Sequence, residues 1–502
     1  MTEISSEEAV AGTTLYREPP PALQRWSARG IASYVGPGVI IASVTIGSGE
    51  LVWASRSGAL FGYALLWCFL YGGVFKCVQV YTATRHFTLT GEHPMVGWCR
   101  LPGPKCWFPL LIAVPAIGLM PIAFSGIPEM LGGFIHRLSG AAMDGPDLGA
   151  WEFVEFRINA WTTLVLCTCL TLALLSSESL LERASMVVLG VIVVCVACAV
   201  CVLGPSWIDL LMGLFTPRLP DFPEFIERAE YVEEFRNRSP WLEVSLYLTA
   251  VGGGAYDYIG YIGMLRSRRW GLAGGRVASL DELQQGVADD NPHRQVNIQR
   301  ARQWTRAPFL DTTVSFFFVI LVTLLFGILG AIVLHSESVL PANNDLLNQQ
   351  ESFLTVLHPQ LRWVYRTGVF LALIGTLYGA FEVYQRTFTE SVAAIMPRPP
   401  SDRQNRWLRR SIVAYCFLGG LAMVWLPENL AGSIVDRMTF GSIVSGAASC
   451  GLWCFAMLWL DRVRLPPELR MSPALRVMTW IAGIAMTVLG GQTICVYFGF
   501  TV

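Results

Sequence analysis

Charge is what this sequence has least of. Asp, Glu, Lys and Arg together make up 15% of its 502 residues, against about 25% in an ordinary soluble chain. Apolar residues make up 53%, and the mean hydropathy is +0.48. Such a composition excludes a soluble multidomain enzyme, a disordered protein and a nucleic-acid binder. Histidine is scarce too. The six (His86, His93, His136, His293, His335 and His358) lie mostly in loops or at the ends of apolar runs, which argues against a catalytic zinc cluster. There is no paired His/Glu metalloprotease motif, no glycine-flanked nucleophile and no phosphate loop, so the chain does not read as an enzyme. A basic start followed by an apolar run is also missing. Met1 to Ser27 is polar, with Glu3, Glu7, Glu8 and Pro19-Pro20-Pro21, and does not read as a cleavable signal peptide. The thirteen cysteines sit mostly inside apolar runs, as do Cys167, Cys169, Cys195, Cys198 and Cys201. They are expected to pack as small apolar groups and not to form a disulfide framework.

What is present is a series of apolar runs long enough to cross a bilayer core, which takes roughly 20 residues per helix. Eleven are expected, over residues 31–59, 61–87, 106–133, 157–176, 185–205, 241–266, 308–333, 361–394, 407–426, 433–460 and 475–500. The net charge of -1 hides a strong segregation of charge along the chain. Arg17, Arg25 and Arg29 precede span one. Arg266, Arg268, Arg269, Arg276, Arg294, Arg300, Arg302 and Arg306 fall between spans six and seven. Arg398, Arg403, Arg406, Arg409 and Arg410 lie between eight and nine, and Arg462, Arg464, Arg470 and Arg476 follow ten. With eleven spans all of these share one side. The loop between spans five and six instead carries Asp221, Glu224, Glu227, Glu230, Glu233 and Glu234. By the positive-inside rule the N-terminus is then cytoplasmic and the C-terminus outside, in a plasma (cell inner) membrane. The lipid bilayer is the expected partner, and no obligate protein partner is implied.

Two spans are interrupted. The first holds Gly36-Pro37-Gly38 and then Thr45-Ile46-Gly47-Ser48-Gly49-Glu50. The sixth holds Gly252-Gly253-Gly254-Ala255-Tyr256-Asp257. Each glycine gives up about 1 kcal/mol of helix propensity relative to Ala. A carboxylate at mid-membrane costs roughly 2.5–3.5 kcal/mol on insertion scales. Both penalties recur five helices apart, as expected of two inverted repeats with a substrate site at the bilayer midplane. There the freed backbone groups can face a cavity instead of lipid. Gly132-Gly133 and Gly419-Gly420, without nearby carboxylates, read as packing glycines. The fold class is therefore an all-α polytopic membrane protein of about eleven transmembrane helices, a LeuT-type inverted 5+5 repeat with broken helices one and six. Residues 1–28 are a polar tail, 29–205 the first repeat, 206–240 an extracytoplasmic loop, 241–460 the second repeat, and 461–502 a cytoplasmic loop and the last span.

Gly36-Pro37-Gly38, the break Gly47-Ser48-Gly49-Glu50, then Gly58, Phe61-Gly62-Tyr63 and Leu65-Leu66-Trp67 resemble the first span of the Nramp divalent-metal transporters. In that family the break reads Asp-Pro-Gly-Asn. Here Gly47 stands in place of the metal-binding Asp, Ser48 replaces Pro, Gly49 matches, and Glu50 replaces Asn. Aligned through Tyr261 to Ser267-Arg268, the family's Met-Pro-His falls on Gly254-Ala255-Tyr256, so its Met thioether is missing. The acidic residues that the family usually carries in its third span fall near Ile117 and Met120, and Ala113 to Gly126 holds no ionisable group. The resemblance implies a divergent Nramp-related metal transporter working by alternating access. It implies a place near the magnesium-transporting relatives, which lack evident proton coupling, or in a branch with another substrate.

The expected binding residues are Glu50, Asp257, Gly47, Ser48, Thr45, Gly253, Gly254 and Tyr256. Glu50 and Asp257 serve as metal ligands, helped by the Thr45 and Ser48 hydroxyls and by backbone carbonyls. Such an all-oxygen set suits a hard cation, Mg²⁺ or Mn²⁺. The cation is cargo, and no cofactor is expected. The alternative is a small amino-acid-like solute, received by the glycine-lined break with Tyr256, Tyr258 and Tyr261. Glu382, well inside span eight, reads as a coupling or counter-charge site, or as a partner of Lys76 or Arg386. Asp311 opens span seven and reads as an N-terminal helix charge or a coupling site. Asp436 and Arg437 read as interfacial. Trp53, Trp67 and Trp363 read as interfacial anchors or packing residues.

Overall fold

The computed structural model describes residues 14–24, 34, 47–139, 148–175, 178–228, 231, 235, 238–341, 347–396 and 400–500. Gly36-Pro37-Gly38 and Thr45 lie outside them, as does the side chain of Ser48. Every described element is helical. A π-helical turn, Ser48–Trp53, runs into α1 (Ala54–Phe61). Then follow α2 (Leu66–Thr90), α3 (Trp107–Gly118), α4 (Met120–Leu138), α5 (Leu148–Leu175), α6 (Glu178–Leu203), α7 (Pro240–Ala250) and α8 (Ala255–Arg268). The chain closes with α9 (Arg306–Leu329), α10 (Leu361–Ile395), α11 (Asp402–Trp425), α12 (Ile434–Ser445), α13 (Ala447–Arg464) and α14 (Pro473–Tyr497).

Seven of these stretches are long and apolar enough to cross a membrane: Trp107–Leu138, Val154–Leu174, Arg294–Glu337, Leu361–Ile395, Asp402–Trp425, Glu428–Arg464 and Pro473–Tyr497. Of the four remaining expected spans, the first lies mostly outside the described residues and the fifth is an apolar helix over Gly190–Leu203; the second and sixth show why composition alone misses them. α2 has the length but carries Lys76, Gln79, Arg85 and His86, all buried. The sixth span is cut into α7 and α8, each too short to cross alone.

Local chemistry sets the ends. α7 begins where the Ser239 hydroxyl accepts from the Trp241 N–H, with Pro240 at the first helical position. α2 ends on Gly91, whose φ of 70° makes a left-handed cap on the Phe87 carbonyl. Two further interruptions correct the expectation that the other spans are uniform. The third is broken at Leu119, because Pro121 has no N–H to donate back along the helix. The tenth is broken at Gly446, where a side chain would collide with the Ser442 carbonyl.

Helices α13 and α14 pack through small residues. A β-carbon at Gly451 would stand 2.2 Å from the Thr487 hydroxyl, and one at Gly490 would stand 2.2 Å from Ala448 N, so only glycine allows so close a crossing. The opposite face of α14 exposes Val477, Ile481, Ile484 and Val488, and α9 exposes Phe317 and Phe318. In lipid such faces cost nothing.

The arginine-bearing segments meet at one end of the bundle. Arg85 pairs with Asp461 at 3.1 Å, Arg464 with Glu92 at 3.1 Å, and Arg294 with Glu468 at 3.4 Å. Leu15 N donates to Asn297 Oδ1 (2.9 Å), and the Tyr16 hydroxyl donates to the Leu89 carbonyl (2.9 Å). The tail, the link after α2, the loop before α9 and the loop after α13 therefore share a side, which needs an even number of crossings between any two of them. Cys99 and Cys106 in the link between α2 and α3 form a disulfide. The expectation of unpaired cysteines fails there, because these two lie in a turn and not in an apolar run.

That link also holds His93, just before the short helix Pro94–Trp98. Its Nδ1 accepts from Met95 N (3.3 Å), so Nε2 carries the proton and donates to the Ile259 carbonyl (3.3 Å). Burial pushes its pKa down to about 4, against the pull of Glu390. Between that value and the unfolded value of about 6.5 the unfolded chain binds a proton that the native protein refuses. Stability therefore falls as pH drops through this window and is flat above it. Thermal unfolding of the purified protein should show the slope, and His93→Gln should remove up to roughly 3 kcal/mol of it.

Candidate transport site

The two breaks have the same local grammar. Gly47 precedes the π-turn by one residue, and Glu50 three residues later turns its carboxylate back to accept from Gly47 N (3.4 Å). Gly254 precedes α8, and Asp257 three residues later accepts from Gly254 N (2.8 Å). A helix N-terminus has unpaired N–H groups and a positive dipole end, so an acid at its third residue is stabilised there. Part of the reason for each carboxylate is therefore helix capping.

Beyond that the two acids diverge. Glu50 also accepts from Gly252 N (3.0 Å) across the site and is fully buried. It ties the first break to the sixth. A β-carbon at Gly49 would stand 2.3 Å from the Ala250 carbonyl oxygen, so the two backbones touch with no side chain between them. Gly252 and Gly253 have φ of 72° and 80°, a left-handed conformation open to glycine at little cost.

These turns aim the carbonyls of Thr249, Val251 and Gly253 at a single point, and the Lys76 ammonium fills it at 2.6, 2.7 and 2.7 Å. The Tyr258 hydroxyl donates to the carbonyls of Gly252 (2.9 Å) and Gly253 (3.2 Å).

Between the breaks lies a cavity of about 110 Å³. Its polar wall carries Asp257, Thr249, Thr376, Ser442, Tyr256 and Tyr384, with Gly49, Gly253 and Gly254 from the breaks. Its apolar wall carries Trp53, Leu119, Ile122, Ala123, Ile127, Ala250, Ala380, Met438 and Gly441. The interruption at Leu119 and the residues just before Gly446 thus both reach the cavity. Tyr256 packs edge-on against Tyr384 with ring centroids 5.3 Å apart.

The family model for natural resistance-associated macrophage protein-like (Nramp) proteins matches residues 38–226. A Populus trichocarpa protein named metal transporter Nramp6.1 is 29% identical over 211 residues, which is 40% of this chain and 33% of that one. The chain therefore spans about a third of that relative. An uncharacterised Pasteurella multocida protein is 21% identical over 416 residues, 82% of each chain. Among solved structures, a crystal structure of the Eremococcus coleocola manganese transporter aligns with TM-score 0.58 at 15% identity, over 99% of this chain and 93% of that one. MhsT in complex with L-phenylalanine aligns with TM-score 0.51 at 13% identity, over 95% and 99%. Both likenesses are of fold, and the fold is the LeuT type. Over residues 38–226 the chain is similar to Nramp proteins.

In this chain a side chain at Gly47 would meet Thr376, whose hydroxyl lies 2.7 Å from the position of a β-carbon. Thr376 thus occupies the space that an aspartate at position 47 would need. Met438 of α12 is among the lining residues, with its sulfur packed beside Gly126 of α4, so the lining is not made of oxygen-bearing residues alone. Among the described residues no three His, Cys, Asp or Glu side chains cluster as a metal group.

The expected site residues separate as follows. Asp257, Tyr256, Gly253 and Gly254 line the cavity. Gly47 is buried against Thr376. Glu50 is not among the described lining residues, because its oxygens are turned onto backbone N–H groups. Glu382 is corrected as a buried acid. It pairs with Arg386 one turn on at 2.6 Å, with its side chain 35% exposed. Asp311 does not open its helix, since α9 starts at Arg306. It is buried and accepts from the Tyr261 hydroxyl at 2.5 Å. Trp53 is a cavity wall and not an interfacial anchor.

Arg437 is not interfacial either. It is buried against Glu129 of α4, with its other nitrogen 3.2 Å from the Ser125 hydroxyl. Glu129 lies just beyond the third-span stretch that holds no ionisable group. Arg437→Ala should cost about 3–5 kcal/mol, because it orphans a buried carboxylate. The double variant Glu129→Gln with Arg437→Met should recover most of that in a thermal-unfolding comparison.

Proposed function

We propose that this protein is an alternating-access transporter of a divalent metal cation, with Mn²⁺ or Mg²⁺ as cargo. One observation carries the reading: the only carboxylate among the described cavity residues, Asp257, stands at the end of a broken helix beside hydroxyls and freed backbone oxygens. In this reading Asp257 is the anionic ligand. Thr376, Ser442 and the carbonyls at the breaks supply neutral oxygens, with waters completing the shell. Met438 offers a softer contact that favours Mn²⁺ over Mg²⁺. The Populus relative named a metal transporter and the Eremococcus manganese transporter, similar in fold, agree with it. The protein lies in the plasma membrane with its arginine-rich end in the cytoplasm. Glu50 holds the two breaks together without touching cargo, and transport needs no proton-carrying acid in the third span.

A small amino-acid-like solute is the second reading. It is favoured by the aromatic wall of Trp53, Tyr256 and Tyr384, which offers apolar contact to a carbon skeleton. Purified protein in liposomes separates the two. Mn²⁺ or Mg²⁺ flux down an imposed gradient supports the first. Absence of both fluxes in either direction, with a control transporter active in the same vesicles, overturns it. A thermal shift produced by an organic solute and not by metals would then favour the second.

A further inference from the structure

Lys76 lies near the middle of α2, fully buried, with about ten helical residues before it and fourteen after. At that depth a lysine cannot reach water by extending along the helix, and its charge needs partners inside the protein. It finds them in the break of the sixth span. The three carbonyls of Thr249, Val251 and Gly253 have no helical donors there, because the chain turns left-handed through Gly252 and Gly253. Three carbonyl oxygens converging on one point are a ligand set for a small monovalent cation. A lysine ammonium has three N–H donors and no acceptor, so it satisfies this cage with nothing left over. The charge also lies within coulombic reach of Glu50 and Asp257.

We propose that Lys76 is a tethered co-ion: its ammonium permanently occupies a monovalent-cation site in the broken sixth helix, so the protein works without bound sodium or potassium. The inference goes beyond the identity of the cargo. It relies on the reading of the transport site only in setting the cage beside the cavity. A free ion can leave between the two halves of a transport cycle, whereas this one cannot, and the positive charge at the break is fixed throughout. The cargo then meets the Asp257 carboxylate with one resident cation nearby, and not the carboxylate alone.

Removal of the tether is the test. Wild type, Lys76→Ala and Lys76→Gln are purified in detergent with choline chloride as the only salt. Unfolding is then followed as sodium, potassium or ammonium replaces choline at constant ionic strength. Wild type should be indifferent. Lys76→Ala should show a saturable rise of at least about 3 °C with ammonium or sodium, since a ligand that binds only the folded state stabilises it. Lys76→Gln, whose amide keeps two donors, should show a smaller rise. If Lys76→Ala folds only when purified in ammonium, that rescue supports the tethered ion equally. Indifference of both variants to every small cation overturns the proposal, as does wild type responding like the variants, or neither variant folding in any salt. No flux is read in this experiment, so failure of the metal-transport reading and failure of this one are separate results.

Discussion

Asp257→Ala is expected to abolish cation flux, by at least about a hundredfold, while the protein still reaches the membrane. Loss of a directly coordinating carboxylate removes roughly 3 kcal/mol or more of ligand interaction, and each 1.4 kcal/mol is tenfold in affinity. The same carboxylate caps α8 through Gly254 N, so alanine also exposes a helix end. Asp257→Asn separates the two roles, because its amide oxygen can keep the cap while the charge is lost. The asparagine variant should unfold near the wild-type temperature and still carry no Mn²⁺ or Mg²⁺ in liposomes. Ordinary flux in both variants would remove Asp257 from the site.

For Glu50→Ala the expected result is the opposite: a fold that fails before transport can be measured. Its two oxygens accept from Gly47 N and Gly252 N in the buried interior. Alanine leaves both donors orphaned, at about 1–3 kcal/mol each, and leaves the Lys76 charge without one of its two nearby anions. A cost of about 2–6 kcal/mol is a large part of an ordinary protein's stability. The measurements are yield, monodispersity and unfolding temperature, with Glu50→Gln expected to fall between. Whatever folded Glu50→Gln remains should bind cargo with near-normal affinity, unlike Asp257→Asn. A Glu50→Ala protein as stable as wild type but unable to bind cargo would show that Glu50 is a ligand after all.

From the amino acids alone the two acids look equivalent, each three residues after a glycine in a broken span. Sequence spacing gives position along a helix but not the direction a side chain takes. The backbone N–H of Gly252, more than two hundred residues from Glu50, decides that direction. The breaks themselves are legible because consecutive glycines and a carboxylate violate two rules of membrane helices at once. The breaks at Leu119 and Gly446 are harder to see, since a lone proline or glycine is common in such helices.

Lys76 was within reach of the sequence. A lysine near the centre of span 61–87 is as costly as the acids that mark the site, and weighing it alike would have placed a cation beside them. Thr376, Met438 and Tyr384 carry no such mark. A threonine, a methionine and a tyrosine inside apolar helices have many ordinary uses, and only the packing of α10 and α12 selects them. The likeness to the Nramp family model covers residues 38–226 and stops short of these helices, which begin at Leu361 and Ile434.

The contact of Gly49 with Ala250, reinforced by Glu50 on Gly252, also constrains how the molecule can work as a machine. Side-chain contacts can slide past one another by changing rotamer, but two backbones pressed together have no such freedom. The broken segments are therefore riveted into one rotor. α10 is held to α8 in the same way, since a β-carbon at Gly260 would stand 2.5 Å from the Val383 carbonyl oxygen, so the cavity surfaces left to act as bearings are those of α4 and α12. In the proposed transport cycle, moving the cavity's opening from one face of the membrane to the other amounts to turning those helices about a rigid pin.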